Sequence, residues 1–407
     1  MPRRSLDSAD VRRHNLGLVA TTLARLGPRS RSELADATGL TRGAVTSLVG
    51  ALVDAGLVRE AASVAAEGRG RPRTLLELTG DDLALVTAAV DADHATAVAS
   101  TLSSQRLADH RRRHGRPMGD PAPVVDALAA VIADTLDDLR ASGRRAVALT
   151  VIAYAPVGGD PPVVLADTDL AWGRVDLVGL LRERLPDLDP PLAGGIRLVP
   201  DATVAALAEH AAQGSPADLL YLKSDSGIGG ALIAGGELVT GAHGIAGALG
   251  HLPIVADGVD CECGQRGCLV TVAGPDVVLA AAGLDAFART DGLDAALDEL
   301  VHRVRTAEPV AAAAWDDAAT WIARAMQVLA MATDPGRIVV GGYWAELADD
   351  LAARFAANRP QVDGRGLDGP AVVPSAFGTD APMVGAERAM RIAVLEDPLA
   401  LTAPTGS

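Results

Sequence analysis

From about residue 80 onward the chain runs twice through the same order of segments, strands first and helices after, and that repetition limits the folds open to it. Residues 83–113, LALVTAAVDADHATAVASTLSSQRLADHRRR, read as strand, turn, strand, turn, strand. A helix follows in APVVDALAAVIADTLDDLRASG, then a buried strand in AVALTVIAYAPV. IRLVP is a further strand, leading into the helix ATVAALAEHAAQ. A second half opens with strands in DLLYLKS and GIGGALIAGG and then becomes mostly helical. Near its end RIVVGGYW is a buried strand leading into the helix AELADDLAARFAA. Such an order predicts two α/β lobes around a cleft. At 407 residues the chain is too long for one ordinary core. Aromatic side chains are so few that Ala, Val, Leu and Gly must fill the interior.

Ahead of the lobes lies a segment of different character. The whole chain carries a net charge of −16, yet residues 1–74 hold twelve arginines against seven acids. A small basic module on an acidic body implies that only the module meets a polyanion. Val11, Leu16, Val19, Ala20, Leu23 and Leu26 fall at helical spacing, and Gly27-Pro28 ends that helix. Ser30 is placed to cap a second helix ending at Gly39, and Thr41 a third closed by Gly56. In the third, Val45, Leu48, Val49, Leu52 and Val53 form an apolar stripe, with Arg42, Gly43, Thr46 and Ser47 on the other side. This is helix-turn-helix geometry: small residues let the backbone approach base edges, and Arg42 reaches a phosphate or guanine. Strand-like runs at Leu57–Arg59 and Thr74–Leu78, joined by a turn at 68–72, complete a wing carrying Arg69, Gly70, Arg71 and Arg73. Arg69-Gly70-Arg71-Pro72 resembles the core of an AT-hook, whose arginines follow the negative potential of a narrow minor groove. The expected partner is therefore a double-stranded DNA operator. The alternatives are a three-helix bundle with a solvated polar face and a basic surface loop.

The opening residues contain arginines but no apolar signal core, and no long uncharged apolar run follows. Neither a membrane segment nor a disulfide scaffold is expected, and the cytoplasm is the default compartment. All three cysteines, Cys261, Cys263 and Cys268, lie within VDCECGQRGCLV. An odd number of thiols cannot pair among themselves.

The stretch SGIGGALIAGGELVTGAHGIAGALGHLPIVADGVDCECGQRGC resembles the signature of the ROK family of sugar kinases and related repressors. GRGRP in the wing, PDATVAALAE at 200–209 and VVGG at 339–342 extend the resemblance over nearly the whole chain. The resemblance implies an α/β fold: an N-terminal winged helix-turn-helix (1–79), then a two-lobed actin-like, ribonuclease-H-like ROK domain (80–396). Residues 397–407 read as a flexible tail. It also implies a structural zinc held by His251, Cys261, Cys263 and Cys268, with Gly264 and Gly267 folding the loop back on the metal. Members with a winged helix are generally sugar-responsive transcriptional regulators.

The motifs that serve phosphoryl transfer in the family are altered here. The first phosphate loop, D-x-G-G-T in the kinases, is Asp91-Ala92-Asp93-His94-Ala95, and the second, G-T-G-I-G-G, is Asp225-Ser226-Gly227-Ile228-Gly229-Gly230. A carboxylate repels a γ-phosphate, and a Cβ blocks close backbone approach. Asp201 matches the catalytic aspartate, but the sugar-binding asparagine before it is Pro200, and two expected glutamates are Ala248 and Val270. Asp201, Thr203 and His251 remain as candidate effector contacts, with a helix N-cap as the plainer role for Asp201. These departures predict a protein that is not an enzyme: a repressor acting as a homodimer or higher homo-oligomer, answering to a sugar or other metabolite. The alternatives are a sugar kinase with an accessory DNA-binding domain, or a ligand-independent zinc-stabilised DNA-binding oligomer.

Overall fold

A computed structural model of the chain describes residues 8–61, 74–188, 192–358, 361–362, 365–366 and 369–401. The first three helices are α1 (Ser8–Leu26), α2 (Arg31–Thr38) and α3 (Arg42–Asp54). Ser30 and Glu33 form a capping box at the start of α2, the Ser30 N–H donating to the Glu33 carboxylate at 2.8 Å. Thr41 accepts from the Ala44 N–H at the start of α3. These side chains satisfy backbone donors that a helix N-terminus leaves open. Strands β1 (Val58–Glu60) and β2 (Leu76–Leu78) pair antiparallel as the base of the wing.

The first lobe is built on β3 (Leu83–Val90), β4 (His94–Ser100), β5 (Arg106–Arg113), α4 (Ala122–Ala141) and β6 (Arg145–Ala153). A short ribbon of β7 (Val157–Gly158) and β8 (Val163–Val164) precedes α5 (Leu177–Arg184) and β9 (Ile196–Pro200). Sheet order is β5-β4-β3-β6-β9, with β3 antiparallel to β4 and parallel to β6. Helix α6 (Asp201–Ala212) then leads into β10 (Leu219–Ser224), β11 (Ile228–Ala234) and β12 (Glu237–Leu238). Five helices follow: α7 (Val270–Ala273), α8 (Pro275–Ala281), α9 (Asp285–Asp291), α10 (Leu293–Arg305) and α11 (Pro309–Thr333). The chain closes with β13 (Arg337–Gly342), α12 (Ala348–Ala357), the hairpin β14 (Gln361–Val362) and β15 (Arg365–Gly366), β16 (Ala371–Pro374) and α13 (Ala381–Leu395). The second sheet, β12-β11-β10-β13-β16, repeats the first in order and sense. The strand-and-helix repeat in the sequence is thus a repeat of topology.

Each sheet buries one face under its own helices. Val86, Ala88 and Val90 of β3 pack with Leu128 and Ile132 of α4, while Leu222, Val340, Ile322 and Met326 belong to the core of the second lobe. A third core is shared: Leu16, Val19, Leu48 and Leu76 of the winged helix cluster with Leu83, Val147, Met390, Val394 and Leu401. Packing therefore runs on across the boundary at 79/80.

Two expectations need correction. Residues 397–401 do not form a flexible tail: Pro398–Leu401 is a 3-10 turn whose Leu401 is 1% exposed, because it completes the apolar surface left open beside α1. Residues 402–407 lie outside the described residues. Val53 is not part of the buried stripe of α3 but is exposed, since Leu52 already fills the core-facing position on that turn. Among the described residues no single helix is long and apolar enough to cross a membrane.

Candidate functional site

Arg42, Gly43, Thr46 and Ser47 share the exposed side of the N-terminal end of α3, opposite the buried Val45, Leu48 and Val49. The helix therefore presents small polar groups and one guanidinium outward from a rigid core. Arg69, Gly70, Arg71 and Arg73 lie outside the described residues.

His251 and the three cysteines come together at one point of the second lobe, their ligand atoms all within 4.8 Å of one another. Cys261 Sγ is 3.6 Å from His251 Nδ1, and Cys263 Sγ is 3.6 Å from Cys268 Sγ. A tetrahedron with ~2.3 Å metal–sulfur bonds has edges of ~3.8 Å, so the four donors fit a structural zinc site. Burial lowers the pKa of His251, which favours the neutral imidazole a metal needs. Gly267 has a φ of +71°, and a Cβ there would meet the Val255 carbonyl oxygen at 2.0 Å, so the loop can close on itself only with glycine. Cys268 is fully buried and ties this loop to the core through its neighbour Leu269.

Between the lobes lies a cavity of about 970 Å³. The cleft faces of β3, β4 and β5 form one wall, α10 and the turn after β13 the other, and the start of α13 the end. Three arginines of the first lobe reach across to the second. Arg111 pairs with Asp294, Arg113 donates to the Thr290 carbonyl at 3.0 Å, and Arg116 holds Asp276 through two hydrogen bonds. Asp91 Oδ1 accepts the backbone N–H groups of Asp93 (2.8 Å) and His94 (2.7 Å). The donors that would face an anion in this loop are thus spent on the loop's own carboxylate.

Beneath the cavity sits Lys223, the only lysine of the chain and 3% exposed. Its ammonium lies 2.5 Å from Asp201 Oδ2, pairs also with Asp225, and stands 4.4 Å over the ring of Tyr154. Burial alone would depress the lysine pKa, but the two carboxylates outweigh it and the pKa is raised. Burial likewise raises the pKa of Asp225, and Lys223 opposes the rise.

Comparison with known proteins now bears on this arrangement. Residues 87–391 match the ROK family, and residues 18–69 match the MarR family. The chain belongs to the ROK family. ROK relatives include an N-acetylmannosamine kinase of Escherichia coli O139:H28, 29% identical over 275 residues, which cover 63% of this chain and 83% of that one. A kanosamine kinase of Amycolatopsis mediterranei is 28% identical over 60% of this chain and 77% of its own length. The fold is also that of a solved ROK family transcriptional regulator described as a homologue of the E. coli MLC protein. It aligns at TM-score 0.71 and 20% identity, covering 96% of this chain and 98% of that one.

Within the ROK body the three candidate effector residues are not gathered at the inter-lobe cavity. None of Asp201, Thr203 and His251 lines the cavity. His251 turns to the cysteines, and Asp201 is only 7% exposed and bound to Lys223. Asp201 is no N-cap either: Pro200 holds that position, and the aspartate carboxylate is taken by the lysine. Sequence reasoning passed over Lys223, although the signal was there: a lone lysine in an otherwise apolar strand, two residues before the acid of the second phosphate loop.

Proposed function

We propose that this protein is a DNA-binding transcriptional regulator, a repressor, whose kinase-like body does not transfer phosphate. The observation that carries the reading is the buried Lys223 between Asp201 and Asp225. A general base must be free to take a proton from a sugar hydroxyl. Here the matching carboxylate is neutralised by an internal ammonium and shut away from the cavity. The acid of the second phosphate loop is held by the same cation, and the N–H donors of the first loop are turned inward.

In this reading two copies bind a pseudo-palindromic, partly A/T-rich operator. Arg42, Gly43, Thr46 and Ser47 meet the major groove, and Arg69 and Arg71 follow the minor groove. Zinc held by His251 and the three cysteines acts structurally, since four protein ligands leave no open position for catalysis. Helix α13 supports a relay. Met383, Val384 and Glu387 near its start line the cavity, while Met390, Val394 and Leu395 sit in the winged-helix core. A rod of ~22 Å thus has one end in the cleft and the other under the DNA-binding module. A ligand that shifts the lobes shifts the two readers relative to each other.

The test pairs two assays on the purified full chain. Fluorescence anisotropy with fragments of the host genome should find duplexes bound with an affinity that falls steeply with salt. Arg42→Ala should weaken binding by ~1–3 kcal/mol if Arg42 reads a guanine. A coupled ATPase assay over a sugar panel should show no turnover. Phosphoryl transfer to a sugar, with no duplex bound, would overturn the proposal in favour of a kinase.

A further inference from the structure

The inter-lobe cavity is built against the anion that a kinase would hold there. Eight carboxylate side chains line it against three arginines. All three arginines are already engaged by carboxylates of the cavity itself: Arg106 by Asp109 (2.7 Å), Arg111 by Asp294, and Arg305 by Glu346 (2.7 Å). Among the described residues that line the cavity no guanidinium is left over for a phosphate. Among the described residues Asp298 and Asp380 make no ion pair and no side-chain hydrogen bond, and Asp225 Oδ1 has no partner either. A recess with unbalanced negative charge concentrates cations and repels anions.

A second observation points to an occupant. Thr87 lines the cavity, is 2% exposed, and carries a hydroxyl with no hydrogen-bond partner, whereas the neighbouring Tyr343 hydroxyl is turned towards Ser224 and Trp344. Buried hydroxyls are nearly always satisfied, and leaving one unmade costs ~1–3 kcal/mol. Thr87 of β3 and Asp91, in the turn just after that strand, both line the cavity, so the hydroxyl's residue and that carboxylate belong to the same wall. Between the polar groups stand Leu293, Leu297 and Val301 of α10, an apolar surface suited to a carbon skeleton. The volume falls in the range of small-molecule sites and exceeds what one hexose fills.

We propose that this cavity binds a compact organic cation, a skeleton bearing protonated amines and hydroxyls, in place of a nucleotide. Asp298 and Asp380 face its amines, and the hydroxyl of Thr87 pairs with one of its polar groups. As the regulator's effector this cation would act through α13, and that role rests on the function proposed above; the binding itself does not.

The test is isothermal titration of the full-length, zinc-loaded chain without DNA. The probes are glucosamine and spermidine, with glucose, N-acetylglucosamine and AMPPNP as neutral and anionic controls. At least one amine should bind, more weakly as salt rises, while its neutral counterpart and AMPPNP do not. The double variant Asp298→Asn, Asp380→Asn removes two unpaired exposed charges and should keep its thermal unfolding profile. It should weaken amine binding about tenfold or more, as loss of a nearby opposite charge requires. Tighter binding of AMPPNP or glucose, an amine affinity unchanged in the variant, or no binding of either amine overturns the proposal. Amine binding by a chain that binds no duplex would keep this site and sink the regulator. Duplex binding by a chain indifferent to amines would do the reverse.

Discussion

Replacing Lys223 with methionine keeps most of the side chain's length and removes its charge. The attraction lost is large: at an effective dielectric of 20, charges 2.5 Å apart interact by about 7 kcal/mol for the Asp201 pair alone. The folded variant escapes that cost by taking up a proton on Asp225, whose pKa burial already raises. Protonating a carboxyl of ordinary pKa near 3.9 requires about 4 kcal/mol at pH 7 and about 1.5 kcal/mol at pH 5. Those figures are the expected destabilisation at the two pH values, with a further ~0.5–2 kcal/mol at both for the contact with Tyr154. The sign follows from linkage. An acid whose folded pKa is raised above its unfolded value contributes stability at low pH and loses it as pH rises. The variant should therefore approach the wild type in acid and fall away from it towards neutrality, by ~1.4 kcal/mol per pH unit. Urea unfolding of both proteins at pH 5, 6 and 7, followed by tryptophan fluorescence, measures this. Adding Asp225→Asn should recover most of the loss at pH 7. A difference below ~1 kcal/mol at pH 7, or one independent of pH, would show that Lys223 does not neutralise these carboxylates.

Two further expectations concern parts of the molecule remote from that lysine. The purified protein should carry stoichiometric zinc by elemental analysis, and Cys268→Ser should abolish it and lower the melting temperature, because the loop around Gly267 then loses what holds it closed. Gly17→Ala should cost ~1–3 kcal/mol in chemical denaturation, since the new Cβ would meet the Glu396 carbonyl oxygen at 2.3 Å and neither backbone can yield easily. If α13 relays the cleft's state, the same variant should reduce any effect of a bound amine on duplex affinity.

Much of the architecture was legible before any coordinates. Ser30 and Thr41 announce two helix starts because capping is local, and both cap as expected. The sheet repeat was readable because buried strands leave largely apolar runs, such as 83–90 and 147–153. The metal cluster was readable because its cysteines lie within eight residues and the resemblance supplied His251. What failed was long-range. The end of the chain looked like a tail since nothing in 397–401 shows that its apolar residues fill a gap beside α1. Asp201 looked like an effector contact or a cap because its partner, Lys223, lies twenty-two residues away on another element.

The sequence by itself determined the elements, the two-lobed repeat, the polar face of α3 and the cluster of three cysteines, because each depends on period, capping or close spacing. Only the tertiary structure decided which charges meet. It set Lys223 between two acids, crossed the cleft with Arg111, Arg113 and Arg116, and joined α13 to the winged helix. Ion pairing and core contact depend on distance in space, and one sequence pattern fits many arrangements of its charges until the lobes are packed.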